Sequence, residues 1–309
     1  MEIKNQPKKQ PLVSIITVNY NQSKVTCEFM ASIQHITYRN TEIIVVDNGS
    51  PSDTPEIIKE KYPDINLIIS KKNLGFAGGN NLAIREAKGK YLLFINNDTE
   101  VPADFLEPMV DLLENDPTIG MVSPKIKFFD KPDTFQFAGF TPMKPYTIRT
   151  LAVGFGEKDS GQFDITHETD SIFGAAMLVP MKVIKEVGLM DDIFFLYYEE
   201  HDWAYRIKQA GYKIYYQGKS CVLHKESIST VKDSPLQIYY ITRNRVLFAR
   251  RNRKGITLFI CLLYMYLITI PRISIEYILK GRFDLLIAFF KAMIWNFTHH
   301  KSIRNSPKL

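Results

Sequence analysis

The sequence predicts an α/β fold built on a mostly parallel sheet flanked by helices. Three observations carry that prediction: short β-branched apolar runs, helical stretches between them, and polar residues where the runs end. Residues 12 to 18, LVSIITV, are bounded by Pro11 and Asn19, the pattern of a parallel strand buried on both faces. EIIVVD at 42 to 47 repeats it, and a helical stretch from about Val25 to Ile36 supplies the crossover of a βαβ unit. INLIIS at 65 to 70, a helix through Asn80 to Ala87 and YLLFIN at 91 to 96 continue the alternation. From about Ser123 to Asp170 the chain is rich in Pro, Gly, Phe and Thr and predicts irregular loops and short strands. SIFGAAMLVP then predicts a strand ending at a helix, and DWAYRIKQAGYKIYY a helix closed by Gly211 and followed by a strand.

At 309 residues, with 45% hydrophobic and 23% charged side chains, the chain can bury a full core, which excludes disordered and fibrous classes. Cys27, Cys221 and Cys261 lie far apart without a CxxC pair, so neither a zinc knuckle nor a disulfide framework is expected, and a reducing cytoplasm fits. Residues 1–10 read as a flexible polar lead without the apolar core of a signal peptide.

Charge is unevenly spread. From Arg243 onward 13 Lys and Arg face only Glu276 and Asp284, a balance of +11, whereas the preceding part has 26 against 31, or −5. Gly255 to Pro271 carries no charge over 17 residues, at the short end of a bilayer span, and Phe283 to Phe297 is shorter and contains Lys291. With RNRVLFARRNRK before them, these stretches resemble interfacial helices whose arginines meet an anionic membrane surface. The alternative is a pair of core or homodimer helices. No nucleic-acid partner is expected, because a nucleic-acid site has no use for the long uncharged run.

In open α/β sheets ligands gather at the carboxyl ends of the strands, so Asn19, Asp47 and Asp98, each following such an end, are expected to face one crevice. NLGFAGGNN lacks the GxGxxG spacing and does not open the first strand-to-helix turn, which removes a nicotinamide site. Asp98 in the NND after a strand suits an oxygen-seeking cation, or equally a turn or cap. YYEEHDW brings Glu199, Glu200 and Asp202 together, where mutual repulsion raises at least one proton affinity and creates a base. The competing structural use is acids at a helix N-terminus, with Asp202 and Arg206 as an i,i+4 pair. His224 is a lone histidine after an apolar run, able to complete a metal site begun by Asp98.

The ordered blocks PLVSIITVNYN, IIVVDNGSPSD, NLGFAGGNN, YLLFINNDTEV, FGAAMLVP, VGLMDDIFFLYYEEHDWAYRIKQAGYKI and then His224 resemble glycosyltransferase family 2 over about residues 11 to 230. Within it, they are most similar to bacterial rhamnosyltransferase-like members that build surface polysaccharides. The resemblance implies the GT-A fold, a Rossmann-like mostly parallel sheet flanked by helices, here with a C-terminal helical membrane-associating extension. It divides the chain into a nucleotide-sugar half (11–125), an acceptor and catalytic half (126–235) and a basic, apolar helical tail (236–309).

The resemblance further implies that Thr17, Asn19 and Asp47 hold the nucleoside, and that Asn73, Gly75, Asn80 and Asn97 line the nucleotide pocket. Asp98 matches the final acid of the family's DxD motif, and His224 a histidine that joins the divalent ion, Mg2+ or Mn2+, in some members; Asn96 replaces the motif's first acid. Glu200 stands at the catalytic base, with Glu199 and Asp202 as substitutes, and Gly174, Ala175 and Trp203 belong near the transferred sugar and acceptor. The implied reaction is inverting transfer, with rhamnose from its deoxythymidine diphosphate as the preferred donor and uridine-diphosphate hexoses next. The acceptor is a saccharide or lipid-linked saccharide at the cytoplasmic face of the membrane. The rivals are a nucleotidyltransferase, whose basic glycine-rich loop VNYNQS does not supply, and an inactive sugar-nucleotide-binding scaffold.

Overall fold

The computed structural model describes residues 10–225, 233–299 and 307–309, so the lead expected over 1–10 lies outside it except for Gln10. The first half alternates as expected: β1 (Val13–Asn19), α1 (Ser23–Ile33), β2 (Thr41–Asp47), α2 (Glu56–Lys61), β3 (Asn66–Ile69), α3 (Gly75–Glu86) and β4 (Tyr91–Ile95). A short β5 (Thr99–Glu100) and α4 (Glu107–Asn115) lead into β6 (Ile119–Phe128), β7 (Lys131–Phe137) and β8 (Thr166–Glu168). Then come β9 (Ala176–Pro180), α5 (Met181–Val187), α6 (Glu199–Gln209) and β10 (Lys213–His224).

All the strands join one sheet, whose main path runs β3-β2-β1-β4-β9-β6-β10-β5. β1 pairs with β2 and β4 in parallel, while β9 enters antiparallel beside β4. β1 and β4 are apolar and almost wholly buried, as their unbroken β-branched and aromatic runs require. One core cluster lies on each face: Phe29, Met30 and Leu93 on one, and Ile16, Phe94 and Trp203 on the other.

Two elements differ from expectation. The helix expected from Asn80 begins at Gly75, because its glycines let it lie against β1: a Cβ on Gly79 would stand 3.2 Å from Val18 Cγ1. Close packing there outweighs glycine's poor helix propensity. The stretch after Ser123, expected to be irregular, instead continues through β6 and β7, and only about 138 to 165 remains without regular strands. Pro124 and two lysines disguised β6. Its partner β10 shifts register between Gln217 and Cys221, opposite Pro124 and Lys125, so the ladder is interrupted where proline has no N–H to give. Lys125 and Lys127 are neutralised by Asp159 and Asp164.

The tail forms α7 (Pro235–Asn252), α8 (Gly255–Tyr264), α9 (Ile270–Leu279) and α10 (Phe283–Thr298). A π-helical turn, Met265–Thr269, joins α8 to α9, so helix runs unbroken from Gly255 to Leu279. That 25-residue helix is long and apolar enough to cross a membrane by length and composition. One face of it and of α10 packs on α7 through Cys261, Met265, Phe289 and Met293. The opposite face exposes Ile256, Phe259, Leu263 and Leu267, and α10 exposes Phe283, Ile287, Phe290, Ile294 and Phe297 at helical spacing. The arginines expected to meet lipid turn inward instead. Arg243 and Arg245 are buried, and Arg251 pairs with Asp191 and Asp202, because the acidic body offers them carboxylates and carbonyls at short range.

Trp203 has no exposed surface; its Nε1 donates to Gly188 O at 2.9 Å and its ring meets Phe94 edge-on at 5.5 Å. Trp203→Ala should lower unfolding free energy by about 3–5 kcal/mol. Urea titration followed by circular dichroism checks it, and an unchanged midpoint would show that the site collapses without loss.

Candidate functional site

Parallel register sets Asn19 of β1 beside Asp47 of β2. Asn19 Nδ2 donates to Asp47 Oδ1 at 2.8 Å and to Asp53 Oδ2 at 3.2 Å, while its Oδ1 accepts from Thr26 Oγ1 at 2.8 Å. Asn97 joins the same cluster by donating to Thr26 Oγ1 at 2.9 Å. Burial opposes ionisation of Asp53, but hydrogen bonds from Ser23, Asn19 and the Thr54 amide outweigh it and hold the carboxyl below its usual range. Thr17 Oγ1 is buried nearby in β1 without a partner. On the adjoining loop, Asn73 Oδ1 accepts from the Gly75 amide at 2.8 Å and from Asn48 Nδ2 at 3.1 Å. Asn80 Nδ2 turns back onto Phe76 O within α3.

Asp98 and His224 meet because β5 pairs antiparallel with the end of β10, in register Thr99 to His224. His224 Nε2 lies 3.2 Å from Asp98 Oδ1, and Asn96 Nδ2 lies 3.5 Å from the same nitrogen. Behind the ring, Nδ1 stands 2.8 Å from buried Gln136 Oε1, which can only accept. A neutral His224 therefore keeps its proton on Nδ1 and leaves the Nε2 lone pair facing Asp98. Asp98 Oδ1 is itself buried without a hydrogen bond. One oxygen lone pair without a partner and one nitrogen lone pair met only by the long contact from Asn96 suit a divalent cation. Among the described residues no cluster of three or more His, Cys, Asp or Glu side chains exists to enclose one, so its remaining ligands must come from elsewhere. The Gly174–Ala175 loop lies alongside: Ala175 O accepts from the Asn96 amide at 2.9 Å, and a Cβ on Gly174 would meet open space.

Glu199 and Glu200 open α6 after a backbone segment of unusual shape. Phe195, Tyr197 and Tyr198 hold φ of 64°, 68° and 74°, the left-handed region that side chains rarely adopt. Asn244 of α7 donates to the carbonyls of Phe194, Leu196 and Tyr197 at 2.7–2.8 Å, and Arg243 donates to those of Ile193 and Phe194 at 2.6 Å. Phe195 O also accepts from the Phe76 amide at 2.7 Å, and a Cβ on Gly75 would strike that oxygen at 2.1 Å. Glycine with φ +72° is therefore required where the loop before α3 meets the acidic segment.

Glu199 is buried, and its proton affinity is raised well above ordinary, first by burial and then by the Glu200 charge. One oxygen of each acid is buried without a partner. His201 Nε2 stands 4.0 Å from Glu200 Oε1, and its Nδ1 is 2.7 Å from Ser171 Oγ. A train of ring contacts, His201 to Phe140 to Phe137 to Phe173 to His224, links the acids to the Asp98 centre.

Asp202 and Trp203 do not belong to this site. Asp202 has no exposed surface and is held by Arg206 at 2.8 Å, Arg251 at 3.1 Å and Asn252 at 3.0 Å, so its charge is already spent. Trp203 is in the core, one helical step round from the acids. Sequence reasoning passed over Asp53, although DNGSPSD carried it. Gln136, Asn244 and Arg243 left no signal, because their roles depend on how β7 and α7 dock.

The family model described as glycosyl transferase family 2 matches residues 14–178, more than half of the chain. The low-salt glycan biosynthesis hexosyltransferase Agl10 of Haloferax volcanii is 25% identical over 240 residues, covering 76% of this chain and 74% of that one. The N-acetylglucosaminyl-diphospho-decaprenol L-rhamnosyltransferase of Mycobacterium tuberculosis is 24% identical over 250 residues, covering 72% and 78%. Among solved structures, the mannosyltransferase PcManGT of Pyrobaculum calidifontis, in complex with GDP-Man and Mn2+, superposes with a TM-score of 0.57 at 17% identity, over 95% of this chain and 77% of that one.

The raised proton affinity of Glu199 has a sign. Its stabilising contribution is complete below the ordinary value of 4.5 and is lost as pH rises through the elevated folded value. Glu199→Gln removes that loss, so its melting temperature should climb relative to wild type as pH rises above 4.5. Parallel melting curves across that interval would mean that Glu199 is not held protonated by the fold.

Proposed function

Because the chain belongs to glycosyl transferase family 2, we propose that it is an inverting enzyme that moves rhamnose from deoxythymidine-diphosphate rhamnose to a lipid-linked saccharide. The observation that carries the site assignment is the pairing of Asp98 with His224, 3.2 Å apart beside the Gly174–Ala175 loop. Thr17, Asn19, Asp47, Asn73, Gly75, Asn80 and Asn97 form the nucleotide side of the pocket. Asp98 and His224 would hold a divalent cation, Mg2+ or Mn2+, which when bound offsets the negative charge of the diphosphate.

Glu200 is the base. Its carboxylate takes the proton of the acceptor hydroxyl as that oxygen bonds to the anomeric carbon, and the bond from that carbon to the nucleoside diphosphate breaks on the opposite side, inverting the configuration. Glu199, neutral beside it, leaves the negative charge on Glu200. The rhamnose assignment is supported by the mycobacterial relative, an L-rhamnosyltransferase, and the lipid-linked acceptor by the N-acetylglucosaminyl-diphospho-decaprenol on which that relative acts. A uridine-diphosphate hexose donor is the second reading, favoured by the hexosyltransferase name of the archaeal relative.

The exposed apolar stripes of α8, α9 and α10 favour a peripheral position on the cytoplasmic face of the membrane, with Lys254, Arg272, Lys280 and Lys291 at their margins toward anionic lipid. Helices packed along one side against α7 cannot also be ringed by lipid, so they would lie in the interface.

Glu200→Gln should retain nucleotide-sugar binding and reduce turnover by about two to four orders of magnitude. Turnover near wild type in a product-release assay would remove Glu200 from the base role. Deoxythymidine-diphosphate rhamnose with Mn2+ should raise the melting temperature more than uridine-diphosphate hexoses do, and EDTA should abolish the shift. A larger shift with a uridine-diphosphate hexose would reassign the donor, and a shift that survives EDTA would remove the metal.

A further inference from the structure

Arg245 of α7 is only 8% exposed, yet among the described residues it has no carboxylate partner. Its Nε and Nη2 both donate to a single carbonyl, Thr147 O, at 2.8 and 2.5 Å. Burial is the main influence weakening its hold on its proton; Tyr198 opposes that, and the like charge of Arg149 adds to it. Arg149 is exposed and likewise lacks an ion pair among the described residues. An arrangement of this kind is unfavourable until an anion supplies the missing charge.

The turn that carries Arg149 is under strain. Ile148, β-branched and fully buried, sits at φ 49°, a conformation kept only when its surroundings impose it. The surroundings that impose it belong to the site: Tyr198 Oη, one residue before Glu199, donates to Ile148 O at 3.1 Å, and Arg245 holds Thr147 O. Arg245 also feels Tyr264 and Cys261 of α8, the helix whose outer face exposes Phe259 and Leu263. Arg245 thus lies where the segment before the acids, the turn that carries Arg149 and α8 come together.

We propose that Arg149 and Arg245 bind the diphosphate of a lipid-linked saccharide acceptor, with its saccharide toward Glu200 and its lipid along α8. The assignment rests on the transferase reading above. Guanidinium forks match phosphate oxygens in pairs, and a diphosphate offers charge to both arginines at once. The nucleotide's own diphosphate is directed to Asp98 and His224, so the two anions occupy separate places. Bilayer phospholipid presents the same phosphate chemistry, and the test separates the two sources.

Dodecyl diphosphate, titrated in EDTA so that no cation can hold it at Asp98, is the probe. Wild type should bind it at least about tenfold more tightly than dodecyl maltoside, and Arg149→Ala and Arg245→Gln should each weaken it about tenfold or more. Arg149 is exposed, so Arg149→Ala decides the matter if Arg245→Gln fails to fold. Equal affinity for the two probes, or indifference to Arg149→Ala, overturns the site. Sedimentation with phosphatidylglycerol vesicles assigns the source. Vesicle binding unaltered by Arg149→Ala supports the acceptor, whereas a loss matching that for dodecyl diphosphate overturns it in favour of bilayer headgroups. The melting shift of wild type with nucleotide sugar reports separately on the transferase reading, because neither arginine belongs to the donor pocket.

Discussion

Three left-handed residues in the segment before Glu199, each costing about 1–3 kcal/mol, are braced by α7, which takes the carbonyls of Ile193, Phe194, Leu196 and Tyr197 around them. Asn244 and Arg243 together make five hydrogen bonds to residues 193–197. The segment in turn gives Phe195 O to α3 at the place where only Gly75 fits. The tail is thus the framework that fixes the direction of Glu199 and Glu200 relative to the loop before α3. A looser segment would let the acids turn toward water and lose the orientation that any reaction at them would need.

The same contact explains the charge asymmetry. The excess of acids before Arg243 and of bases after it reads as two surfaces of opposite sign, but in the folded chain they interdigitate: Arg251 reaches Asp191 and Asp202, and Arg243 lies among carbonyls and the rings of Tyr240 and Trp295. What remains outside is mainly apolar, with lysines at the margins. Composition alone suggested a basic surface helix, whereas the structure turns its arginines into internal ligands.

Most of the sheet was legible because β1, β4 and the second half of β2 are buried on both faces and are therefore largely apolar. β6 was not, since its proline and lysines suit a strand only when β10 shifts register and acidic side chains come from a distant loop. Asp98 and His224 could be named from motif order, but their closeness depends on the β5 to β10 register, and the Gln136 that orients His224 depends on the docking of β7. Asp202 was ambiguous between base and helix pair, and burial decided for the pair. Trp203 shared a motif with the acids and lies a turn further along the same flank of α6, but its ring is wholly buried against Phe94.

Asn296 of α10 donates to the backbone carbonyl of Arg243, and Arg250 returns a bond to Asn296, so the last helix steadies the clamp itself. During ribosomal synthesis the acids emerge well before this helix. A nascent chain can complete its sheet while its acidic segment is still unsupported, and that segment becomes ordered only when the apolar helices have followed. Translation thus orders the acidic segment at about the moment that it delivers the exposed apolar stripes of α8 and α10.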